Sequence, residues 1–281
     1  MEMLATWIGQ REVVSDRIAA WPVAGLSATL DRDDPEPRPD DALPPGWHWL
    51  FCLPCARQGA LGADGHPARG GFLPPVPLPR RMWAAGRMTF HRPLRIGASV
   101  RRESTIADVT VKHGRQGPLV FVLVRHEFFA PDGLALVEEH DIVYRGEAGT
   151  NRRLPDREGP AMPAPSWRRA ITPDPVLLFR FSALTFNGHR IHYDRPYATA
   201  TEGYPGLVVH GPLLALLMLD LLRRERPDAA LARFAFRLHR PLFDTAPFTL
   251  CGAPRGARGV DLWVEAPDGA VAATATVETA N

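Results

Sequence analysis

The sequence predicts an α+β protein in which two antiparallel sheets each wrap a helix, the N-terminal helix being short or degraded. Three observations lead there. The tetrapeptide HRPL occurs at 91–94 and again at 239–242, and each copy is followed downstream by APDG, at 130–133 and 266–269. That shared order marks an internal duplication rather than chance recurrence. Around both copies lie runs of β-branched and aromatic residues between turn signals, without the strand–helix alternation of a parallel sheet. One stretch, LLALLMLDLL at 213–222, is apolar nearly all round and reads as a buried helix.

In chain order, 34–81 is rich in Pro and Gly, yet Trp47, Trp49 and Phe51 require it to pack, so it reads as an ordered irregular arm placed to cover a site. VPLPRRMWAAG (76–86) occupies the position where a first-half helix belongs, but is too short and Pro-rich for a full buried one. Strands follow at 86–97, 99–111, 118–129 and 134–145. The interval between the echoed tetrapeptides is longer in this half, and KHGRQGP (112–118) reads as a longer hairpin connection that accounts for it. Asp132-Gly133 and Asp268-Gly269 are hairpin turns, because Gly accepts positive φ. The aperiodic, Pro-rich segment 146–175 reads as a linker between an N-terminal unit (1–145) and a C-terminal unit (176–281). Second-half strands are expected at 231–242, 247–252, 259–266 and 270–278. Before them a helix runs from about 212 to 226, with Gly211 as N-cap, Pro212 first, arginines in the last turn and Pro227 as the stop.

Composition narrows the function. The chain has 281 residues, 45% hydrophobic and 23% charged, with a net charge of +2, so no basic footprint for nucleic acid is expected. Lys112 is the only lysine among the 33 basic residues, which lowers the functional weight of any one arginine. Three cysteines make no disulfide framework, and Cys52 and Cys55 form a CLPC pair without a second pair to complete a zinc site. The pair is read as semi-buried thiols, with a redox role as the lesser alternative. MEMLATWIGQREVV lacks the basic start and apolar run of a signal peptide, and the 213–222 run is too short to span a bilayer. A cytoplasmic protein with no membrane partner is expected.

The chemistry concentrates in FSALTFNGHRIHYD (181–194) and GLVVHGP (206–212). The first is read as one polar loop carrying Asn187, His189, His192 and Asp194; the second opens the buried helix. A histidine-bearing loop facing a helix N-terminus can host and stabilise an enolate, which points to an enzyme. The plainer alternative for His192 is a core histidine bonded to backbone, and for Gly211 a simple helix start.

These motifs, together with GGFLPPVPLPRRMW (70–83), MTFHRPLRIG (88–97), EEHDIVYR (138–145) and GLVVHGPLLA (206–215), resemble the MaoC-type double hotdog enoyl-CoA hydratases and dehydratases over roughly residues 45 to 280. They are closest to that family's mesaconyl-C4-CoA (3-methylfumaryl-CoA) hydratase branch. The resemblance implies an N-terminal half of the FAS1-like dehydratase type and a C-terminal half of the MaoC type. It also implies an acyl-CoA substrate and reversible hydration of mesaconyl-C4-CoA to citramalyl-CoA, with no metal or redox cofactor and CoA arriving as part of the substrate. In the wider family the loop carries an Asp where this chain has Asn187, and an amide is no general base near neutral pH. His192 is therefore assigned the acid/base role, Asn187 the orientation of water or thioester, and the Gly211 N–H the oxyanion. A free carboxylate on the substrate would need a cation, for which Arg190, Arg80 and Arg81 are candidates, the latter two also for CoA phosphates. His189, Tyr193 and His210 are expected to shape the substrate pocket, and Asp194 to serve the turn. Hydration of itaconyl-CoA or another 2-enoyl-CoA, thioester hydrolysis on the same fold, and a non-catalytic acyl-CoA-binding subunit are the alternatives. Assembly is left open, a homo-oligomer being allowed.

Overall fold

A computed structural model describes residues 2–114, 117–146 and 159–280. An edge strand β1 (Arg11–Arg17) leads into helix α1 (Ala20–Thr29). After a long irregular arm come β2 (Arg80–Phe90), β3 (Ser99–Gly114), β4 (Gly117–Ala130) and β5 (Gly133–Arg145). The plan then repeats: β6 (Trp167–Ile171), α2 (Pro175–Leu184), a second irregular stretch, α3 (Gly211–Glu225), β7 (Leu231–Leu238), β8 (Phe248–Arg255), β9 (Gly259–Glu265) and β10 (Val271–Thr279). All ten strands join one antiparallel sheet in the order β1-β3-β4-β5-β2-β7-β10-β9-β8-β6. That order reads the same from either end once the halves are superposed, β2 and β7 meeting at the seam with Gly86 opposite Phe236. The HRPL copies lie just beyond β2 and β7, and the APDG copies close the β4–β5 and β9–β10 hairpins, with Gly133 and Gly269 at φ 116 and 82.

Helix α3 forms from a Pro at its second position, a leucine-rich body and an absence of β-branched residues. Residues 213–222 are all buried, packed beneath β8, β9 and β10. Each fully buried leucine contributes about 1.5–3 kcal/mol, so packing rather than propensity holds this helix. Its one buried charge, Asp220, is 3% exposed. It receives Arg32 at 2.6 Å, Arg169 at 2.6 Å and Arg224 at 2.8 Å. Asp34 extends the network to Arg32 and Arg223, each at 3.0 Å. The segment after α1, strand β6 and the C-terminal turn of α3 are thereby tied together.

Several expectations are corrected. Residues 80–90 are strand β2, paired along its length with β5, and not a degraded helix. The prolines at 74, 75, 77 and 79 end just before β2 and so do not interrupt its ladder. Between α1 and β2, where the second half has α3, the described residues of the first half form only two short 3₁₀ turns, Trp47–Leu50 and Gln58–Ala60. The extra length of the first half lies in its strands, since β3 and β4 have 16 and 14 residues against 8 and 7 in β8 and β9. Gly114 already pairs with Gly117 across the hairpin. The segment expected to be linker contains β6 and, at its end, the Asp174 side chain that caps α2 through the Leu177 N–H at 2.7 Å. Residues 147–158 of it lie outside the described residues. Helix α3 begins at Gly211 with His210, not Gly211, as its cap. Among the described residues, no helix is long and apolar enough to cross a membrane.

Candidate active site

The first four residues of FSALTFNGHRIHYD are the last turn of α2, not loop. The chain leaves α2 through Phe186 at positive φ (48°), and the Asn187 N–H returns to the Ser182 carbonyl at 2.8 Å. Asn187 Oδ1 accepts the His189 N–H at 3.0 Å, fixing the turn and leaving the amide NH2 and one Oδ1 lone pair for other partners. A 3₁₀ turn, Arg190–His192, then drives His192 inward.

His192 is 7% exposed. Its Nδ1–H donates to the Val208 carbonyl at 2.7 Å, which leaves Nε2 unprotonated. Burial pushes its pKa down to about 4, against the opposing pull of the Val208 bond, so at neutral pH it is a neutral base. Its ring stacks on His210 at 3.7 Å. His210 is fully buried, shares a hydrogen bond with Ser182 Oγ at 2.8 Å, and leaves its Nδ1 without a partner among the described residues. Burial, then the neighbouring His192 and His189, hold His210 well below the usual histidine range. His189 sits 5.3 Å from His192, its pKa lowered to about 2 by burial first and by His66 and His192 next. Gly211 starts α3 beside this stack, and a side chain there would run into Leu238. The first amides of α3 have no intrahelical partner and carry the positive end of its dipole.

The structure adds residues that sequence reasoning missed. The turn at 62–66 of the arm lies on the catalytic loop: the Asp64 carbonyl accepts the Arg190 N–H at 2.9 Å, and the Ala63 carbonyl accepts Arg190 Nη1 at 3.0 Å. Gly65 (φ 87) and Gly188 meet backbone to backbone. A Cβ on Gly188 would come within 2.9 Å of the Gly65 oxygen, and one on Gly65 would overlap the Gly188 oxygen. This contact sets His66 against His189 at 4.0 Å, with Asp64 Oδ2 accepting His66 Nδ1–H at 3.0 Å. Burial alone would raise the Asp64 pKa, but the His66 hydrogen bonds carry it far below the usual carboxylate range. Asp64, His66 and His189 bring one donor atom each within 4.8 Å of one another. Because Asp64 already accepts both the ring and the amide of His66, the set is built as a hydrogen-bonded pair facing an imidazole. The only sequence signal was an Asp and a His separated by one Gly.

The arginines are placed differently from expectation. Arg190 does not present its guanidinium to a substrate: Nε and Nη2 bind Asp194 at 2.9 and 2.8 Å, and its face covers Tyr197 at 4.1 Å. Asp194 also accepts the Tyr197 N–H at 3.1 Å, a turn role. Tyr193 is exposed and donates its hydroxyl to the Gly188 carbonyl at 2.9 Å, bracing the loop. Arg80 lies 3.5 Å from Glu202 and over Tyr204. Arg81 bonds the Tyr144 hydroxyl and lies near enough for its charge to lower the pKa of both His66 and His189, as Arg69 does for His66. Deeper in the first half, Glu138 (1% exposed) accepts His48 at 3.0 Å and Trp49 at 2.7 Å and contacts His140 at 2.6 Å, anchoring the arm to β5. A shallow concavity of about 690 Å³ lined by Arg233, Arg255, Arg258 and Glu278 shares no residue with this site.

Buried neutral histidines make the fold acid-sensitive. In the unfolded chain a histidine takes its proton near pH 6.5, whereas folded His192 resists it until about pH 4. Stability is therefore lost as pH falls from about 6.5 to 4, by roughly 3 kcal/mol for His192 alone. His189, His210 and His126 are shifted in the same direction. Thermal denaturation across pH 4 to 8 checks this: Tm is expected to drop steadily below pH 6.5, and a flat Tm down to pH 4.5 contradicts it.

Comparison with known proteins accords with this geometry. Residues 46–244 match the hydroxyacyl-thioester dehydratase type 2 family. The chain is 50% identical to the mesaconyl-C(4)-CoA hydratase of Chloroflexus aurantiacus, covering 97% of this chain and 96% of that one. It superposes on HtdX of Mycobacterium tuberculosis with a TM-score of 0.64 at 18% identity, covering 96% of this chain and 100% of that one. A second M. tuberculosis protein, described as having a double hotdog fold, superposes at 0.58 with 13% identity, over 97% and 96% of the two chains. The palindromic sheet is thus a double hotdog, and the chain is a hydratase/dehydratase that belongs to the hydroxyacyl-thioester dehydratase type 2 family.

Proposed function

We propose that the chain reversibly hydrates mesaconyl-C4-CoA (3-methylfumaryl-CoA) to citramalyl-CoA, as a cytoplasmic enzyme to which CoA comes with the substrate. The observation that carries this is the fixed tautomer of His192: Nδ1 donates to Val208, so Nε2 is a neutral base beside the N-terminus of α3. The identity to the Chloroflexus enzyme supports the substrate. Nε2 takes a proton from water as the oxygen bonds Cβ. The double-bond electrons move onto the thioester oxygen, where the first amides of α3, Gly211 among them, stabilise the enolate by about 3–4 kcal/mol. Protonation at Cα completes the addition. His189 and His210 flank the His192 ring, and the burial of this cluster lowers the local dielectric in which the donors act.

For the free carboxylate, Arg81 is the better-placed cation, since Arg190 is committed to Asp194. Arg81→Met is expected to lower kcat/KM for mesaconyl-C4-CoA by about 10–100-fold, the worth of one charge-assisted hydrogen bond, and to leave crotonyl-CoA within about threefold. Mass spectrometry of the purified protein with mesaconyl-C4-CoA, itaconyl-CoA and crotonyl-CoA tests the whole reading. Water gained on the branched dicarboxylyl thioester supports it. Gain on crotonyl-CoA alone removes the carboxylate argument, and release of free CoA replaces hydration with hydrolysis.

A further inference from the structure

Hydration needs two proton transfers, one from water at Cβ and one to Cα, and on the loop holding His192 the wider family's Asp position is an amide, Asn187, while Asp194 is taken by Arg190 and the Tyr197 N–H. The arm supplies what the loop lacks. His66 rests against His189 at 4.0 Å, and His189 is 5.3 Å from His192, so the three rings are in consecutive contact. In the cluster of His66, His189, His192 and His210, only His66 is bonded to a carboxylate among the described residues. Its Nδ1–H is held by Asp64, which turns Nε2 away from the carboxylate. Its side chain is 21% exposed, open enough to exchange protons with solvent where His192 is not. Two glycines in backbone contact, Gly65 and Gly188, fix its distance from the loop.

We propose that His66, oriented by Asp64 as a positioning residue, is the second acid/base of this site and carries the proton to and from Cα, while His192 handles the water. In the hydration direction, His192 Nε2 accepts a proton from water as the C–O bond forms, and the enolate carbon takes a proton from the His66 imidazolium. His192 then returns its proton to solvent and His66 is reloaded from solvent, so the sum is the addition of one water. Burial, with the charges of Arg81 and Arg69, holds His66 below the ordinary histidine value, and Asp64 pulls against them through its hydrogen bond and its charge, so the imidazolium forms on the acid side of that value. The reaction then needs His192 neutral and His66 charged, which predicts a bell-shaped pH profile whose high-pH limb, set by His66, falls on the acid side of the ordinary histidine value.

The inference rests on the hydratase reading but not on the dicarboxylate. The test is therefore run with whichever 2-enoyl-CoA the wild-type protein hydrates, and a failure of the substrate assignment is seen separately in the wild-type comparison of thioesters. In the full-length protein, His66→Gln is expected to lower kcat by about 100-fold or more, with KM within about threefold and loss of the high-pH limb. The solvent deuterium isotope effect should rise as Cα protonation becomes limiting. Asp64→Asn, nearly isosteric, is expected to cost about 10-fold and move the high-pH limb to lower pH, since the imidazolium loses its counter-charge. A His66→Gln enzyme with kcat within threefold of wild type, or one altered in KM alone, overturns the proposal. So does activity abolished by a chelator and restored by zinc. Should His66→Gln fail to fold by circular dichroism, Asp64→Asn decides, and an unmoved limb overturns it.

Discussion

Replacing His192 by alanine is expected to lower kcat by about 10²–10⁴-fold with KM little changed. The imidazole is buried, held in one tautomer by Val208, and stacked on His210, so nothing else on the loop can place a neutral nitrogen at the same point. His192→Gln keeps most of the volume and is expected to lose as much activity, which separates lost chemistry from a lost contact. The sign of the pH dependence follows from the lowered pKa. Protonated His192 cannot accept a proton from water, so the low-pH limb of the wild-type rate should fall through about pH 4, rather than near the 6.5 of a free histidine. Initial rates down to the acid limit of the fold check this. A low-pH limb already falling at pH 6.5 would place the base on a different group.

Asp220→Ala is expected to have the largest effect on stability, about 3–5 kcal/mol, seen as a fall in Tm of roughly 10 °C or more. The carboxylate is almost wholly buried and answers three arginines from three parts of the chain. Removing it leaves Arg169 and Arg224 facing an uncompensated site, while Arg32 retains Asp34. The exposed pair Arg233–Glu278, at 3.5 Å, makes the control. Solvent already screens that pair, and Glu278→Gln should change stability by less than about 1 kcal/mol. Equal losses for the two variants would mean that the Asp220 network does not hold the halves together.

The periodic and repeated parts of this protein were legible from residues alone. Seven of the ten strands, the end of β2, the duplication and helix α3 declare themselves through alternation, turn chemistry and a continuous apolar run, all properties of neighbouring residues. Strands β1 and β6 did not, because edge strands such as REVVSDR are largely exposed and need no apolar face. Helices α1 and α2 were missed because one carries a proline and a glycine and the other opens inside a Pro-rich segment. For the site, His192 and the start of α3 could be named from the motif, since loop and helix adjoin in sequence.

What only the tertiary structure decided is which charges are used up and which groups arrive from elsewhere. Arg190 looked free, but Asp194 lies four residues on, within reach along the same turn, and takes its guanidinium. Asp64 and His66 lie more than a hundred residues from the loop they complete, in an arm whose sequence has no period to read. The reason is physical. Local pattern reports the burial of one face of a strand or helix, whereas the placing of an irregular segment depends on contacts such as Gly65 on Gly188, which form only when distant parts of the chain meet.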